Sequence, residues 1–323
     1  MNIAEFAQQM NRWGQDRVPF LFVVDFEMKK PLVMKLDEID PLQVLVDING
    51  YTNVKPDNKN SQSSYLTKDP ISLNEYKLKF DHVYDHLNYG DSYLANLTVK
   101  TGLKVNGTLV DLFHASKARY KLCLPDRFLV FSPEIFIRIA DGRILSYPMK
   151  GTIDASIPGA EKIILNDVKE LAEHVTIVDL IRNDLSQVAA RVEVTKFRYV
   201  DEIKTVDKKL LQISSEVTGI LPDDYLSRLG EILVKLLPAG SVTGAPKPKT
   251  VEIICQAEGE DRGYYTGVFG YFDGYRVDSG VMIRFIESDS GKYFYRSGGG
   301  ITTQSVVEKE YQEVIDKVYV PVD

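Results

Sequence analysis

The chain has 323 residues, 44% of them hydrophobic, which is enough to bury a large core, and it carries a formal charge of -7. That acidic balance excludes a nucleic-acid surface, because phosphate binding needs clustered Lys and Arg. Two cysteines, Cys123 and Cys255, lie far apart without metal-type spacing, so neither a disulfide framework nor a zinc site is expected and the cytoplasmic compartment fits. The first residues lack a basic patch followed by an apolar core, and the longest apolar run, 18–24, is too short for a bilayer, so no export signal or membrane anchor is expected.

In chain order, residues 2–13 predict a short amphipathic helix, followed by strands at 20–26, 32–36 and 44–48, the last meeting an Asn49-Gly50 turn. The segment 52–70, rich in Asn, Ser, Lys and Asp, predicts a loop. A helix is expected over 73–87, then strands at 92–99, 109–114, 118–122, 128–131, 135–139 and 144–148, with Asp141-Gly142 as a hairpin turn. Ile164, Val168, Leu171, Val175, Val178, Ile181 and Leu185 fall on one stripe and predict a single long helix over 161–188. Strands at 191–199 and 210–217 follow, then a helix at 223–236, a Gly/Pro-rich loop and a helix near 249–256. Strands at 263–272, 277–287 and 293–296 and a closing helix at 306–318 complete the chain. Strands and helices in separate blocks predict an α+β fold with antiparallel sheets rather than a parallel barrel. The expected organisation is an N-terminal segment, 1–75, packed on a catalytic domain, 76–323.

Two acidic pairs, Glu170/Glu173 and Glu310/Glu313, are spaced i, i+3 and share a helix face. On spacing alone, solvated surface glutamates are the commoner arrangement. Four carboxylates from two helices would nonetheless suit Mg²⁺, which takes one or two of them and keeps waters for substrate oxygens. Gly298-Gly299-Gly300, just before the last helix, lets backbone N–H groups approach an anion. The run 238–247 lacks the Gly-Lys-Ser/Thr ending of a nucleotide phosphate loop, which excludes that ligand. Lys150 closes a strand, and folding the chain at Asp141-Gly142 brings Glu134 opposite residues 148 to 150, within ~5–8 Å. An ideal two-residue turn pairs Glu134 with Met149 and sends Lys150 to the other face, so a bulge near Pro133 or Pro148 is required.

An ordered series of motifs runs through the chain: Gly90-Asp91-Ser92-Tyr93 with Asn96-Leu97-Thr98, Phe131-Ser132-Pro133-Glu134, and Pro148-Met149-Lys150-Gly151-Thr152. Then come Glu173-His174 through Val178-Asp179-Leu180-Ile181-Arg182-Asn183-Asp184, Pro238 to Lys247, Arg262-Gly263-Tyr264-Tyr265-Thr266-Gly267, Ile283-Arg284, Gly298 to Ile301, and Glu308 to Glu313. These motifs resemble the chorismate-utilising family of anthranilate synthase large subunits, aminodeoxychorismate synthase component I, and isochorismate and salicylate synthases. The resemblance covers roughly residue 90 to the C-terminus. It implies an α+β fold of layered antiparallel sheets with flanking helices, like that of anthranilate synthase component I.

The resemblance also implies Mg²⁺ held by Glu170, Glu173, Glu310 and Glu313, Lys150 as covalent nucleophile, and Glu134 as general acid. Substrate contacts are implied for Thr152, Thr243, Gly244, Tyr265, Arg284, Gly298, Gly299 and Gly300. Anthranilate synthases resemble the 148–152 motif with alanine at position 150 and aminodeoxychorismate synthases with lysine. The implied reaction is therefore amination of chorismate to 4-amino-4-deoxychorismate, toward 4-aminobenzoate and folate. Leu94 stands where isochorismate and salicylate synthases carry a lysine base and many members a glutamine, and Gln212 stands where many have histidine. Neither cysteine sits on a glycine-flanked elbow, so ammonia is expected from a separate glutamine amidotransferase subunit. The alternatives are an anthranilate synthase component I-type enzyme, aminating C2 and eliminating pyruvate, and a non-catalytic glutaminase-binding scaffold.

Overall fold

The computed structural model describes residues 1–55, 66–204 and 209–321. They form two antiparallel sheets. The first runs, in spatial order, Met149–Asp154, Lys209–Ile220, Arg143–Ser146, Ile135–Ala140, Val277–Val281, Val268–Phe272, Phe20–Val24 and Leu32–Lys35, with Ala190–Lys204 also pairing with Lys209–Ile220. The second runs Gly244–Ala245, Leu94–Val105, Lys292–Ile301, Phe285–Asp289, Phe128–Ser132, Tyr120–Leu124, Leu45–Ile48 and Tyr51–Thr52, with Leu66–Pro70 also on Leu94–Val105.

The strand Phe20–Val24 shows why the sheets stack. All five of its residues are apolar and buried, because a period of two serves two cores. Phe20, Phe22 and Val24 pack with Phe6, Ile232 and Leu233 of the helices Ile3–Gln15 and Leu229–Leu236. Leu21 and Val23 pack between the sheets with Val46, Leu122 and Val130. On the far side of the second sheet, the helix Leu73–Tyr89 sets Tyr76, Phe80 and Val83 against Leu97, Val99 and Val314. The layers are thus helices, sheet, sheet, helices, and the first 75 residues supply strands to both sheets.

Several elements differ from the sequence reading. Residues 109–114 form the helix Leu109–Ala115 rather than a strand. Thr108 and Asp111 build a reciprocal capping box there, which overrides the strand-like letters Leu-Val-Asp-Leu-Phe-His. The stripe over 161–188 is two helices, Ala160–Asn166 and Val168–Ser186, because Asp167 leaves the helical conformation to cap the second by accepting from the Glu170 N–H. Of the loop placed at 52–70, residues 56–65 lie outside the described residues, while Leu66–Pro70 is a strand. Residues 223–236 open with a 3₁₀ turn, Tyr225–Arg228, before the helix Leu229–Leu236. The run 263–272 is strand only at Val268–Phe272, and Gly298-Gly299-Gly300 lie inside the strand Lys292–Ile301.

The run 277–287 is not one strand: Val277–Val281 belongs to the first sheet and Phe285–Asp289 to the second. The link between them contains Arg284, in the left-handed region at φ 54°. A second crossing, Pro133-Glu134, joins Phe128–Ser132 to Ile135–Ala140. The two links are bonded side by side, with the Val281 N–H donating to Glu134 O at 3.1 Å and the Phe131 N–H to Arg284 O at 3.2 Å. Where strands leave one sheet for the other, side chains are freed from both cores. No described helix is long and apolar enough to cross a membrane.

Candidate active site

A cavity of about 540 Å³ opens at these crossings, with Glu134, Lys150, Thr152, Glu170, Glu173, Thr243, Gly244, Tyr265, Arg284, Gly298, Gly300, Glu310 and Glu313 in its wall. Among the residues singled out from the sequence, only Gly299 is not in the wall. A Cβ there would lie 3.5 Å from Glu313 Oε1 and 3.6 Å from Glu310 Oε2, so this glycine underlies the acidic pair instead.

Lys150 reaches the cavity through an irregularity. The hairpin ladder stops at Leu145 opposite Arg138, so Glu134 and Met149 do not pair. The strand Met149–Asp154 instead pairs with Lys209–Ile220, Lys150 opposite Ile213, with a register shift between Lys150 and Thr152. The hairpin that would have required a bulge near Pro133 or Pro148 therefore does not extend this far, and the register shift in the new pairing falls at Gly151, φ 78°. A Cβ at Gly151 would come within 2.9 Å of Glu170 Oε2, so the glycine admits the bulge and the carboxylate together.

The Lys150 ammonium lies 2.8 Å from Glu173 Oε2. Burial pulls its pKa down, but Glu173, then Glu170 and Glu313, push it above the ordinary lysine value. In this arrangement the lysine is held as a cation. Glu134 moves the same way for a different reason. Burial raises its pKa against Ser241, Arg284, Lys150 and Lys317, which favour the carboxylate, so it keeps its proton to higher pH than an ordinary glutamate.

Arg284 donates from Nε to Tyr319 Oη at 3.3 Å, and its guanidinium carbon lies 5.2 Å from that ring's centroid. Beside it, Tyr265 is buried, with its phenol pushed up to about 12, and remains a donor. Thr243 turns inward: its hydroxyl donates to Ala239 O at 3.0 Å and Gly240 O at 3.2 Å, locking its own turn. Gly244 is needed for close approach, since a Cβ would stand 1.8 Å from Leu94 O at φ 137°. Two wall residues escaped the sequence reading. Ser241 donates to Glu134 Oε1, and Lys317 donates to Gly298 O at 2.8 Å and Glu313 Oε1 at 2.6 Å. The i, i+4 spacing of Lys317 from Glu313 was the available signal for the second.

The four glutamates come from the helices Val168–Ser186 and Val307–Asp316 and face one cavity. Among the described residues, no three acid, imidazole or thiol groups are already gathered as a metal cluster. The donor set still fits a hard dication that keeps most of its waters. Two of these carboxylates hold ammonium groups, those of Lys150 and Lys317, and so already bind positive charge.

Two stacked antiparallel sheets with one cavity at their crossings, walled by both cationic and acidic side chains, are the features to set beside known proteins. The chorismate binding enzyme family matches residues 21–323, and the chain belongs to that family. An uncharacterized PabA-like protein of Pasteurella multocida is 50% identical, covering 100% of both chains. Aminodeoxychorismate synthase component 1 of Salmonella typhimurium is 34% identical over 76% of this chain and 56% of its own length, so this chain spans little more than half of that relative. Among solved structures, anthranilate synthase component I of Streptococcus pneumoniae superposes with a TM-score of 0.67 at 27% identity, over 78% of this chain and 58% of that one.

Proposed function

We propose that the chain aminates chorismate at C4, giving 4-amino-4-deoxychorismate with ammonia as nitrogen donor and Mg²⁺ as cofactor. The observation that carries this reading is that Lys150, from a strand, and Glu134, from a link between the sheets, share one cavity with four glutamates at one end and Arg284 and Tyr265 in its wall. Chorismate carries two carboxylates. A planar guanidinium suits the one on the enolpyruvyl arm, with Tyr265 as a second donor. The ring carboxylate belongs at the acidic end, near Glu170, Glu173, Glu310 and Glu313. When bound there, Mg²⁺ supplies the positive charge that this carboxylate needs and loosens the glutamates' hold on the Lys150 proton.

The Lys150 amine, once neutral, attacks C2 of the ring while Glu134 protonates the C4 hydroxyl, which leaves as water as the two conjugated ring double bonds shift. Ammonia then adds at C4 and both double bonds shift back, expelling the Lys150 amine. One substitution is thereby divided into two easier ones, the usual gain from covalent catalysis. Leu94, 5% exposed, lies against Gly300 close to Lys150 and gives this end no base with which to activate water.

Ammonia is assigned to a separate glutamine amidotransferase subunit. Cys123 is buried in a strand with its thiol pushed up to about 12, and burial raises Cys255 too, so neither is a ready thiolate. The product would then lose pyruvate to give 4-aminobenzoate for folate synthesis, in the cytoplasm. Incubation with chorismate, Mg²⁺ and ammonium, followed by a lyase, should yield 4-aminobenzoate. Anthranilate formed without the lyase would replace this reading with the anthranilate synthase one.

A further inference from the structure

The segment that carries Ser241 is anchored far more firmly than a cavity wall requires. Gly240 is wedged against the helix Val168–Ser186: a Cβ there would lie 2.8 Å from Asp184 Oδ2 and 3.0 Å from Leu180 Cδ2. The same Asp184 oxygen accepts from Lys247 Nζ at 2.9 Å, and this amine also donates to Leu236 O at 3.1 Å. The pair is 7% and 16% exposed and so closes the segment at both ends. On the other side, the buried Arg262 donates from Nη1 to Val242 O at 2.8 Å and from Nη2 to Asn96 O, while the Asn96 N–H donates to Thr243 O at 2.8 Å. Between these anchors, the Ser241 hydroxyl projects onto Glu134 Oε1 and makes the only hydrogen bond to that carboxyl among the described residues.

We infer that Ser241 is a positioning residue that fixes the Glu134 carboxyl for proton transfer, and that the buried Asp184–Lys247 pair holds Ser241 in place. The inference rests on the reading of Glu134 as the proton donor. A carboxyl on a link between two sheets has free rotamers, and proton transfer needs the donor within hydrogen-bond reach of the leaving oxygen. One fixed hydroxyl selects one rotamer. The groups acting on Glu134 are Ser241 from this segment, Arg284 from the neighbouring link, Lys150 from the bulged strand and Lys317 beyond the last helix. All four favour the carboxylate. Losing Ser241 therefore raises the Glu134 pKa further and moves the alkaline limb of the rate profile, where the proton is lost, to higher pH.

The test is steady-state amination of chorismate with ammonium and Mg²⁺ across pH, for the full chain and for Ser241→Ala, Ser241→Thr, Lys247→Met and Glu134→Gln. In Ser241→Ala the expected result is a kcat lowered by up to about 100-fold with KM for chorismate within about twofold, and an alkaline limb displaced upward. Ser241→Thr, which keeps the hydroxyl, restores both. Combining Ser241→Ala with Lys247→Met adds little to the Ser241→Ala loss, because both act through one contact. An unchanged kcat and limb in Ser241→Ala, with Glu134→Gln inactive, overturns this inference and leaves Glu134 as the acid. Full activity in Glu134→Gln overturns the acid assignment and this inference with it.

Discussion

Replacing Lys150 with methionine keeps most of the stem and removes the charge. The ammonium now sits 2.8 Å from Glu173, with side chains 29% and 11% exposed, between a surface bridge and a fully buried pair. With dehydration set against attraction, its loss should cost about 1–3 kcal/mol of stability in metal-free buffer. At roughly 2 °C per kcal/mol for a chain of this size, the melting point should fall by about 2–6 °C. Because the Lys150 pKa is raised, its contribution is complete at neutral pH and fades only as pH rises through that raised value, so pH 7 is the place to measure. The same deletion removes a positive charge from the place where Mg²⁺ is proposed to bind. A tenfold gain in affinity needs only about 1.4 kcal/mol, less than one unit charge exerts at contact in a partly buried site. Calorimetric titration of the variant with Mg²⁺ should therefore show at least tenfold tighter binding than the wild type, and the cation should recover most of the lost melting temperature. Unchanged or weaker binding would refute the placement of the metal among these glutamates.

Glu134→Gln should abolish amination yet melt higher than the wild type at pH 8. The raised carboxyl pKa makes wild-type stability fall as pH rises through it, so the difference should vanish toward pH 4.5, the ordinary value of the free group. Arg284→Lys removes the fork and should raise KM for chorismate by about 10- to 100-fold, with a smaller change in kcat, in steady-state assays. Gly244→Ala places a methyl 1.8 Å from a backbone oxygen at φ 137°, so urea unfolding should show a loss above about 4 kcal/mol, or no folded protein. An unaltered midpoint would contradict the close pairing of Gly244 with Ala95.

The Asp141-Gly142 hairpin and the amphipathic helices were legible because their signals are local: both turn residues adopt positive φ, and the apolar stripes match the buried faces. The family motifs located nearly every wall residue, since those positions depend on residue type in order along the chain. What failed was geometry set by distant partners. The Glu134–Met149 register assumed a continuous ladder, but Ile135 is drawn to Gly280 and Met149 to Ser214, and the chain splits. The run 277–287 read as one strand because both halves are apolar, and nothing local marks the change of sheet at Arg284. The protonation of Lys150 is set by three glutamates that only the fold assembles and that together outweigh desolvation. Ser241 had no signal of its own: its partner lies 107 residues away.

The account turns on an amine of this chain bonding to the chorismate ring. Intact-mass spectrometry of the protein incubated with chorismate and Mg²⁺, without ammonium, addresses that step directly. The predicted result is a covalent adduct of chorismate less one water, mapped to Lys150 by peptide sequencing, absent in Lys150→Ala and discharged by added ammonium. An unmodified protein that still converts chorismate to 4-amino-4-deoxychorismate once ammonium is supplied would contradict it.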